Sequence, residues 1–180
     1  NPHFLFNSLN VLSSLAYQDA EKTNLFAKKL SSVYRYLLTT HERETVTLQE
    51  EMQFVDSYLF LERIRFGDTL QIHIEDNKKN HDKAIIPASL QMLVENAIKH
   101  NISTPKYPLV VQITICDSEV IVRNNIQLRN YVTKNGMGLK NLKKQYALYG
   151  KEIYIINIPK LLLKSENIEK NLFTVRLPFI

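Results

Sequence analysis

The sequence has few of the residues on which several common classes of site depend. Among its 180 residues there is one cysteine, Cys116, which excludes an internal disulfide and a multi-cysteine metal site and fits a reducing compartment. No apolar run approaches the roughly 18 residues of a membrane-spanning helix. The 23 basic and 18 acidic residues give a net charge of +5, and because they are scattered, direct binding of nucleic acid is not favoured.

Glycine is also scarce, with four residues against about 7% in an average protein. Gly136 and Gly138 fall in one tripeptide, and Gly67 and Gly150 stand where helices are predicted to end. A chain this poor in glycine is expected to place it where the backbone requires it. The first residue is Asn1 rather than Met, so we expect a fragment or a processed chain.

Apolar periodicity predicts two regions, a helical one over residues 1–68 and an α/β one over residues 69–180. In the first, Asp19 is a predicted helix cap and Thr47–Glu50 fits a capping box. In the second, strands come in adjacent pairs, as in the hairpin predicted around Asp117-Ser118, so a doubly wound dinucleotide-binding fold is not expected. We therefore predict an α+β fold in which an antiparallel-rich sheet is covered by helices.

The helix predicted from Pro87 to His100 carries polar residues in an otherwise apolar sequence. Asn96, Lys99 and His100 are three or four residues apart, so we expect their side chains on one face. An amide oxygen is a ligand for Mg²⁺, and the two basic side chains supply charge and donors for a polyphosphate. A solvated helix face would present the same three residues, and on these residues alone that alternative stays open.

Two glycines precede the next predicted helix, where exposed backbone can approach a phosphate at the positive helix end. Gly136 and Gly138 alone are a weak signal, because turns use this spacing freely. They follow the non-periodic segment 125–135 and are flanked by Lys134 and Lys140, which strengthens the indication of a phosphate site.

Several segments resemble known signatures. VENAIKHN, VIVRNN and NGMGLKN resemble the N, D and G boxes of the GHKL superfamily of ATP-binding modules, which have the Bergerat fold. The first seven residues, NPHFLFN, resemble the phosphoacceptor box of one branch of bacterial sensor histidine kinases, with a membrane sensor upstream. RYLL at 35–38 and YLFLERIRFG at 58–67 also resemble this branch, so the resemblance covers essentially the whole chain.

The resemblance implies roles for individual residues. His3 would attack the γ-phosphorus of ATP, and Asn7, one helical turn later, would orient its ring or hold a hydrolytic water. Asn96 matches the Mg²⁺-binding position, and Glu95 beside it is a candidate base or water-orienting residue. The nucleotide-binding positions that the resemblance implies are Asn96, Lys99, His100, Asn124, Gly136, Gly138 and Leu139.

The same resemblance implies cofactors and partners. It implies ATP and Mg²⁺, a homodimer formed by the helical region, and a response regulator whose receiver domain takes the phosphoryl group onto an Asp. It also implies a cytoplasmic location beneath a membrane sensor. The competing hypothesis is a degenerate scaffold that dimerises and signals by protein contact. A DNA-gyrase-type ATPase is disfavoured because it leaves NPHFLFN unexplained.

Two positions depart from the family pattern. Asn124 stands where the D box has an Asp, and an amide can accept from the adenine amino group or donate to a guanine carbonyl. The sequence therefore predicts weaker ATP binding and poorer rejection of GTP than an Asp would give. Asn124→Asp is then expected to tighten ATP binding and to sharpen the preference for ATP over GTP. Phe4 stands where many other histidine kinases have an acidic residue, so the base that activates His3 stays unidentified.

Overall fold

The helical region is a hairpin followed by a third helix. In the computed structural model, α1 (Pro2–Ala16) and α2 (Ala20–Thr40) form the hairpin, and α3 (Leu48–Phe66) follows. Asp19 caps α2 by accepting a hydrogen bond from the Lys22 backbone N–H at 2.9 Å, as the sequence predicts. The structure describes residues 2–129, 137–157 and 172–180.

The second region is a mixed sheet with two helices. Its helices are α4 (Ser89–His100) and α5 (Met137–Leu148). The strands are β2 (Leu70–Glu75), β4 (Leu109–Ile115), β5 (Glu119–Asn125), β6 (Tyr154–Asn157) and β7 (Leu172–Pro178). They lie in the order β2-β4-β5-β7-β6, with β2 and β4 parallel and the other neighbours antiparallel. The predicted α+β fold is confirmed.

Side-chain alternation explains which face of the sheet the helices cover. Val111, Ile113 and Ile115 of β4 are buried, whereas Gln112 and Thr114 between them are only partly buried, as the two-residue period of a strand requires. α4 packs against β4 and β5, and α5 packs against α4. α4 therefore packs on one face of the sheet, and it carries most of the polar residues that the sequence analysis identified as candidate site residues.

α3 contacts both regions. Its predicted capping box is present, since the Glu50 N–H donates to the Thr47 hydroxyl at 3.2 Å and the Glu50 carboxylate accepts from the Thr47 N–H at 2.9 Å. Gly67 ends the helix with a φ of +56°, in the left-handed region that favours glycine. Beside α3, the short strands β1 (Val46–Thr47) and β3 (Ala84–Ile85), which the sequence did not predict, pair antiparallel. The boundary predicted at residue 68 falls just after this helix and stays a prediction.

The buried face of α1 differs from the one that leucine spacing alone indicates. The three- and four-residue spacing of Leu5, Leu9, Leu12 and Ala16 in the sequence would by itself place Leu9 on the buried face, but Leu9 is 46% exposed and Phe4 and Ser8 are buried instead. The Phe4 ring lies 5.2 Å from the Tyr58 ring and 6.3 Å from the Tyr34 ring. An aromatic ring between two others buries more apolar area than a leucine, and this contact sets the rotation of α1.

A buried carboxylate joins three helices. Glu51 of α3 is 0% exposed and accepts hydrogen bonds from the Ala88 N–H at 2.9 Å, the Leu90 N–H at 3.1 Å and the Tyr36 hydroxyl. Tyr36 is held in place because its ring stacks on Phe54, with centroids 4.1 Å apart. Since Ala88 is the N-cap of α4 and Leu90 lies in its first turn, Glu51 fixes the start of α4 relative to α2.

This arrangement predicts a pH-dependent effect of Tyr36→Phe. Burial raises the pKa of Glu51 from 4.5 to about 7. A raised folded pKa means that the contribution of Glu51 to stability is fully present below pH 4.5 and is lost as the pH rises to about 7. Removing the Tyr36 hydroxyl takes a hydrogen-bond donor from the ionised form of Glu51. The free energy of unfolding of the variant should therefore be lower by about 1.5–3 kcal/mol at pH 8, and by less at pH 5.

Thermal denaturation at both pH values checks this expectation, with a fall in Tm of about 5 °C at pH 8. Tyr17→Phe is the matched control, because Tyr17 is 92% exposed and its hydroxyl should contribute nothing to stability. Equal losses at pH 5 and pH 8 would contradict the role given to Glu51.

Candidate functional site

A cavity of about 370 Å³ lies between α1, α3 and α4. His3 and Asn7 line it from α1, one turn apart on the same face, as the sequence predicts. The buried Phe4 ring on Tyr58 holds this end of α1 against α3. The residues with carboxyl, ammonium or guanidinium groups that line the cavity are Glu62, Arg65, Glu95, Lys99 and Arg129.

The polar residues of α4 divide between two faces of the helix. Glu95 and Lys99 line the cavity, whereas Asn96 and His100 do not. Residue 96 is turned about 100° around the helix from residue 95, which explains the separation. Lys99 therefore lies with Glu95 on the side of His3, and the expectation that Asn96, Lys99 and His100 bind one nucleotide stays a prediction. Burial, and then the charge of Lys99, lower the pKa of His100.

The first turn of α5 lies close to the Asn96 side of α4. A Cβ atom on Gly138 would stand 3.2 Å from the Met92 sulfur, so a side chain at 138 would force this contact to move. Met92 is one turn before Asn96, so the positive end of the α5 dipole lies near the Asn96 face. Leu139 is half-buried and packs against the core. Gly136 and residues 130–135 of the predicted lid lie outside the described residues.

Asn124 is on the buried face of β5. It is 6% exposed and shares that face with Val120 and Val122, as the period of two predicts. Its amide nitrogen donates to the Asn125 carbonyl at 2.8 Å. Because two oxygens repel at this distance, the hydrogen bond fixes which end of the amide is the nitrogen, and it engages one of the two donors.

Electrostatically, the cavity combines carboxyl groups with cations. Burial, and then the charge of Glu95, raise the pKa of Glu62 from 4.5 to about 7, while Arg65 opposes the shift. Arg65 Nη1 lies 3.7 Å from Glu62 Oε2. The Arg129 guanidinium is oriented by donating from Nε to the Asn101 carbonyl at 2.8 Å. An imidazole beside three cationic side chains suits transfer of an anionic group to that imidazole.

Sequence reasoning missed Glu62, Arg65 and Arg129 as lining residues. A signal for Glu62 was available, because it lies one turn after Tyr58 in a helix whose neighbouring residues are buried. Arg129 had no such signal, since it lies in a segment without apolar periodicity.

Within the described ranges there is no cluster of three or more His, Cys, Asp or Glu residues that could hold a metal ion, and no helix that could cross a bilayer.

Comparisons with known proteins give a consistent family. The sequence model of the family described as "Histidine kinase" matches residues 1–70. The sensor protein kinase HptS of Staphylococcus aureus (strain USA300) is 32% identical over 146 residues, which cover 81% of this chain and 26% of HptS. The same figures hold for HptS of strain NCTC 8325. The chain thus spans about a quarter of the length of these curated relatives.

The chain is similar, with TM-scores below 0.5, to two solved structures of histidine kinases. The cytoplasmic segment of the histidine kinase QseC is 17% identical, with 76% of each chain covered and a TM-score of 0.48. The Acinetobacter baumannii histidine kinase AdeS is 14% identical, with 92% of this chain and 82% of that chain covered and a TM-score of 0.42.

Proposed function

The chain belongs to the histidine kinase family, whose model its residues 1–70 match, and from this premise we propose that it transfers the γ-phosphoryl group of ATP to His3. The observation that carries the proposal is the cavity that His3 and Asn7 share with Glu95 and Lys99. The first two residues lie in the predicted phosphoacceptor box and the other two in the predicted N box. Residues that are about 90 positions apart in the sequence therefore face one another across a space of about 370 Å³.

The chemistry follows from the lining residues. A ring nitrogen of His3 uses its lone pair to attack the γ-phosphorus, and the bond from that phosphorus to the bridging oxygen of ADP breaks. Negative charge on the transferring group is stabilised by Arg65, Lys99 and Arg129, which line the same cavity. Asn7 lies one turn from His3 in the same cavity, and we propose that its side-chain amide orients the ring.

The residues around Asn96 fit a Mg²⁺–nucleotide complex. The Asn96 side chain is half-buried and supplies one amide oxygen, and Mg²⁺ in nucleotide sites typically takes one or two protein ligands, waters and phosphate oxygens. The positive end of α5 lies close by, because Gly138 allows its approach to α4. When bound, Mg²⁺ neutralises phosphate charge. We propose that Asn96 holds the ion, and that His100, Leu139 and the glycines at 136 and 138 bind the phosphates.

Asn124 is proposed to recognise the base, and its hydrogen bond revises the expectation from the sequence. One amide donor is engaged by the Asn125 carbonyl, which leaves the oxygen to accept from the adenine amino group. The unchanged chain should therefore prefer ATP to GTP. Asn124→Asp should not tighten ATP binding, because a carboxylate oxygen would then face the Asn125 carbonyl oxygen. This buried contact should lower the free energy of unfolding by about 1–3 kcal/mol.

Competition titrations with ATP and GTP, together with thermal denaturation, check both statements. Asn125→Asp is a second variant rather than a silent control, because Asn125 makes its own hydrogen bonds to Val110 and Pro108 across the sheet. It should lower stability without changing the ratio of ATP to GTP affinity. Tighter ATP binding by Asn124→Asp would restore the original expectation.

Three further proposals concern the whole protein. The named relatives are sensor protein kinases, which supports a response-regulator receiver domain as the acceptor of the phosphoryl group and a membrane sensor attached to this segment. Exposed apolar side chains on α1 and α2, among them Phe6, Leu9 and Leu25, support a homodimer formed by the hairpin. Size-exclusion chromatography with light scattering measures the oligomeric state.

Incubation with γ-labelled ATP and Mg²⁺ tests the proposed activity. A phosphohistidine gives protein-bound label that is lost in acid and retained in alkali, whereas a phosphoserine or phosphothreonine behaves in the opposite way. Label of the first kind supports the proposal. Nucleotide binding without any label would instead support the non-catalytic scaffold.

A further inference from the structure

One carboxyl group in the cavity has no part in the function proposed above. Glu62 is 2% exposed, and its Oε2 atom accepts no hydrogen bond from the described residues. The nearest cationic atom, Arg65 Nη1, is 3.7 Å away, which exceeds hydrogen-bond distance. The Arg65 guanidinium lies over the ring of Phe66 at 4.6 Å from its centroid, so a second contact holds it there.

A comparison within α3 shows that packing does not account for Glu62. Glu51 on the same helix is equally buried, but its carboxylate accepts hydrogen bonds from Ala88, Leu90 and Tyr36. A buried carboxyl without such donors costs free energy that an apolar side chain would not. Glu62 lines the cavity of His3, so an oxygen that accepts no hydrogen bond from the described residues is placed beside the proposed reaction.

We propose that Glu62 is the group that accepts the proton leaving the His3 ring during phosphoryl transfer, an inference that rests on the proposed function. In this step the lone pair of one ring nitrogen forms the N–P bond while the bond to the ADP oxygen breaks. The N–H proton on the other ring nitrogen then passes to the Glu62 carboxylate. The products are ADP, neutral-ring phosphohistidine and protonated Glu62, so atoms and charge balance.

The surroundings of Glu62 suit a proton acceptor near neutral pH. The titratable and charged groups that face it are Tyr58 and Arg65 from α3, Glu95 and Lys99 from α4, His3 from α1, and Arg129. Burial, and then the charge of Glu95, raise the pKa of the carboxyl to about 7, while the charge of Arg65 opposes this shift. General-base catalysis is most efficient when the pKa of the base is close to the working pH.

Glu95, the other carboxyl in the cavity, is less suited to this step. Its Oε2 accepts a hydrogen bond from the Gln91 side chain at 2.6 Å. One oxygen of the Glu95 carboxylate is therefore already engaged by a donor, whereas Oε2 of Glu62 accepts no hydrogen bond from the described residues. Glu95 therefore acts on Glu62 through its charge, and Glu62 takes the proton.

The test measures the rate of His3 labelling from γ-labelled ATP in four variants. Glu62→Gln removes the base with little change of volume and should slow labelling about 100-fold while nucleotide binding is retained. Glu62→Asp should keep part of the rate. Glu62→Ala opens space for a small base, so added formate or acetate should restore labelling, more strongly for the more basic ion. Asp56→Asn is the control, since this partly buried carboxyl of the same helix lines a different cavity.

Restoration by added carboxylates distinguishes a proton acceptor from a residue that only supports the fold. Labelling of Glu62→Gln within threefold of the unchanged chain would overturn the proposal. A loss that no added base restores, in a variant whose circular dichroism is unchanged, would also overturn it. Absence of label on the unchanged chain would overturn the proposed function itself and the role of Glu62 with it, whereas normal labelling of the unchanged chain separates the two.

Discussion

His3→Gln is expected to abolish protein-bound label from γ-labelled ATP and to leave nucleotide affinity unchanged. The glutamine side chain keeps polarity and hydrogen bonding but has no nucleophilic nitrogen with an available lone pair. His3 is exposed at the edge of the cavity, so its replacement removes little buried area and the fold should persist. Fluorescent-nucleotide titration and the labelling assay measure the two effects separately.

His73→Gln is the matched control for this experiment. His73 is exposed on β2 and does not line the cavity, so its replacement should leave labelling at the level of the unchanged chain. Label that persists in His3→Gln at more than about a hundredth of the original rate would mean that another residue accepts the phosphoryl group.

Asn96→Ala is expected to remove Mg²⁺-dependent ATP binding and, with it, labelling of His3. The alanine lacks the amide oxygen proposed to bind the ion, and one lost ligand cannot be replaced by a neighbouring carboxylate cluster within the described residues. Because Asn96 is half-buried and polar, its truncation leaves little apolar cavity, and the stability loss should be about 1 kcal/mol or less.

Isothermal titration with ATP, in the presence and absence of Mg²⁺, measures this effect directly. Asn24→Ala is the control, since Asn24 is an exposed asparagine on a helix outside the cavity. Equal ATP affinity with and without Mg²⁺ in the unchanged chain, or unchanged kinase labelling in Asn96→Ala, would remove the proposed role of this residue.

Local rules account for the elements that the sequence predicted correctly. The Thr47–Glu50 capping box and the Asp19 cap depend on atoms within four residues, and both are present. The alternation of β4 and β5 likewise follows from the period of a strand. These features need no knowledge of distant segments.

The features that the sequence did not predict depend on contacts between distant segments. Glu51 stands beside Glu50 in the sequence, but one is buried under Tyr36 and Ala88 and the other forms an exposed ion pair with Arg43. Periodicity cannot distinguish these two carboxylates, because their partners come from other elements. The separation of Lys99 from Asn96 has the same origin, since only the packing of α1 and α3 against α4 determines which face forms the cavity.

Transfer of the phosphoryl group to His3 is tested by mass spectrometry of the chain after incubation with ATP and Mg²⁺, at neutral to alkaline pH so that phosphoramidates are preserved. We expect one added phosphoryl group on the N-terminal peptide, with fragment ions that place it on His3, and none in His3→Gln. A phosphoryl group on any other residue, or none on a chain that binds ATP, would contradict it.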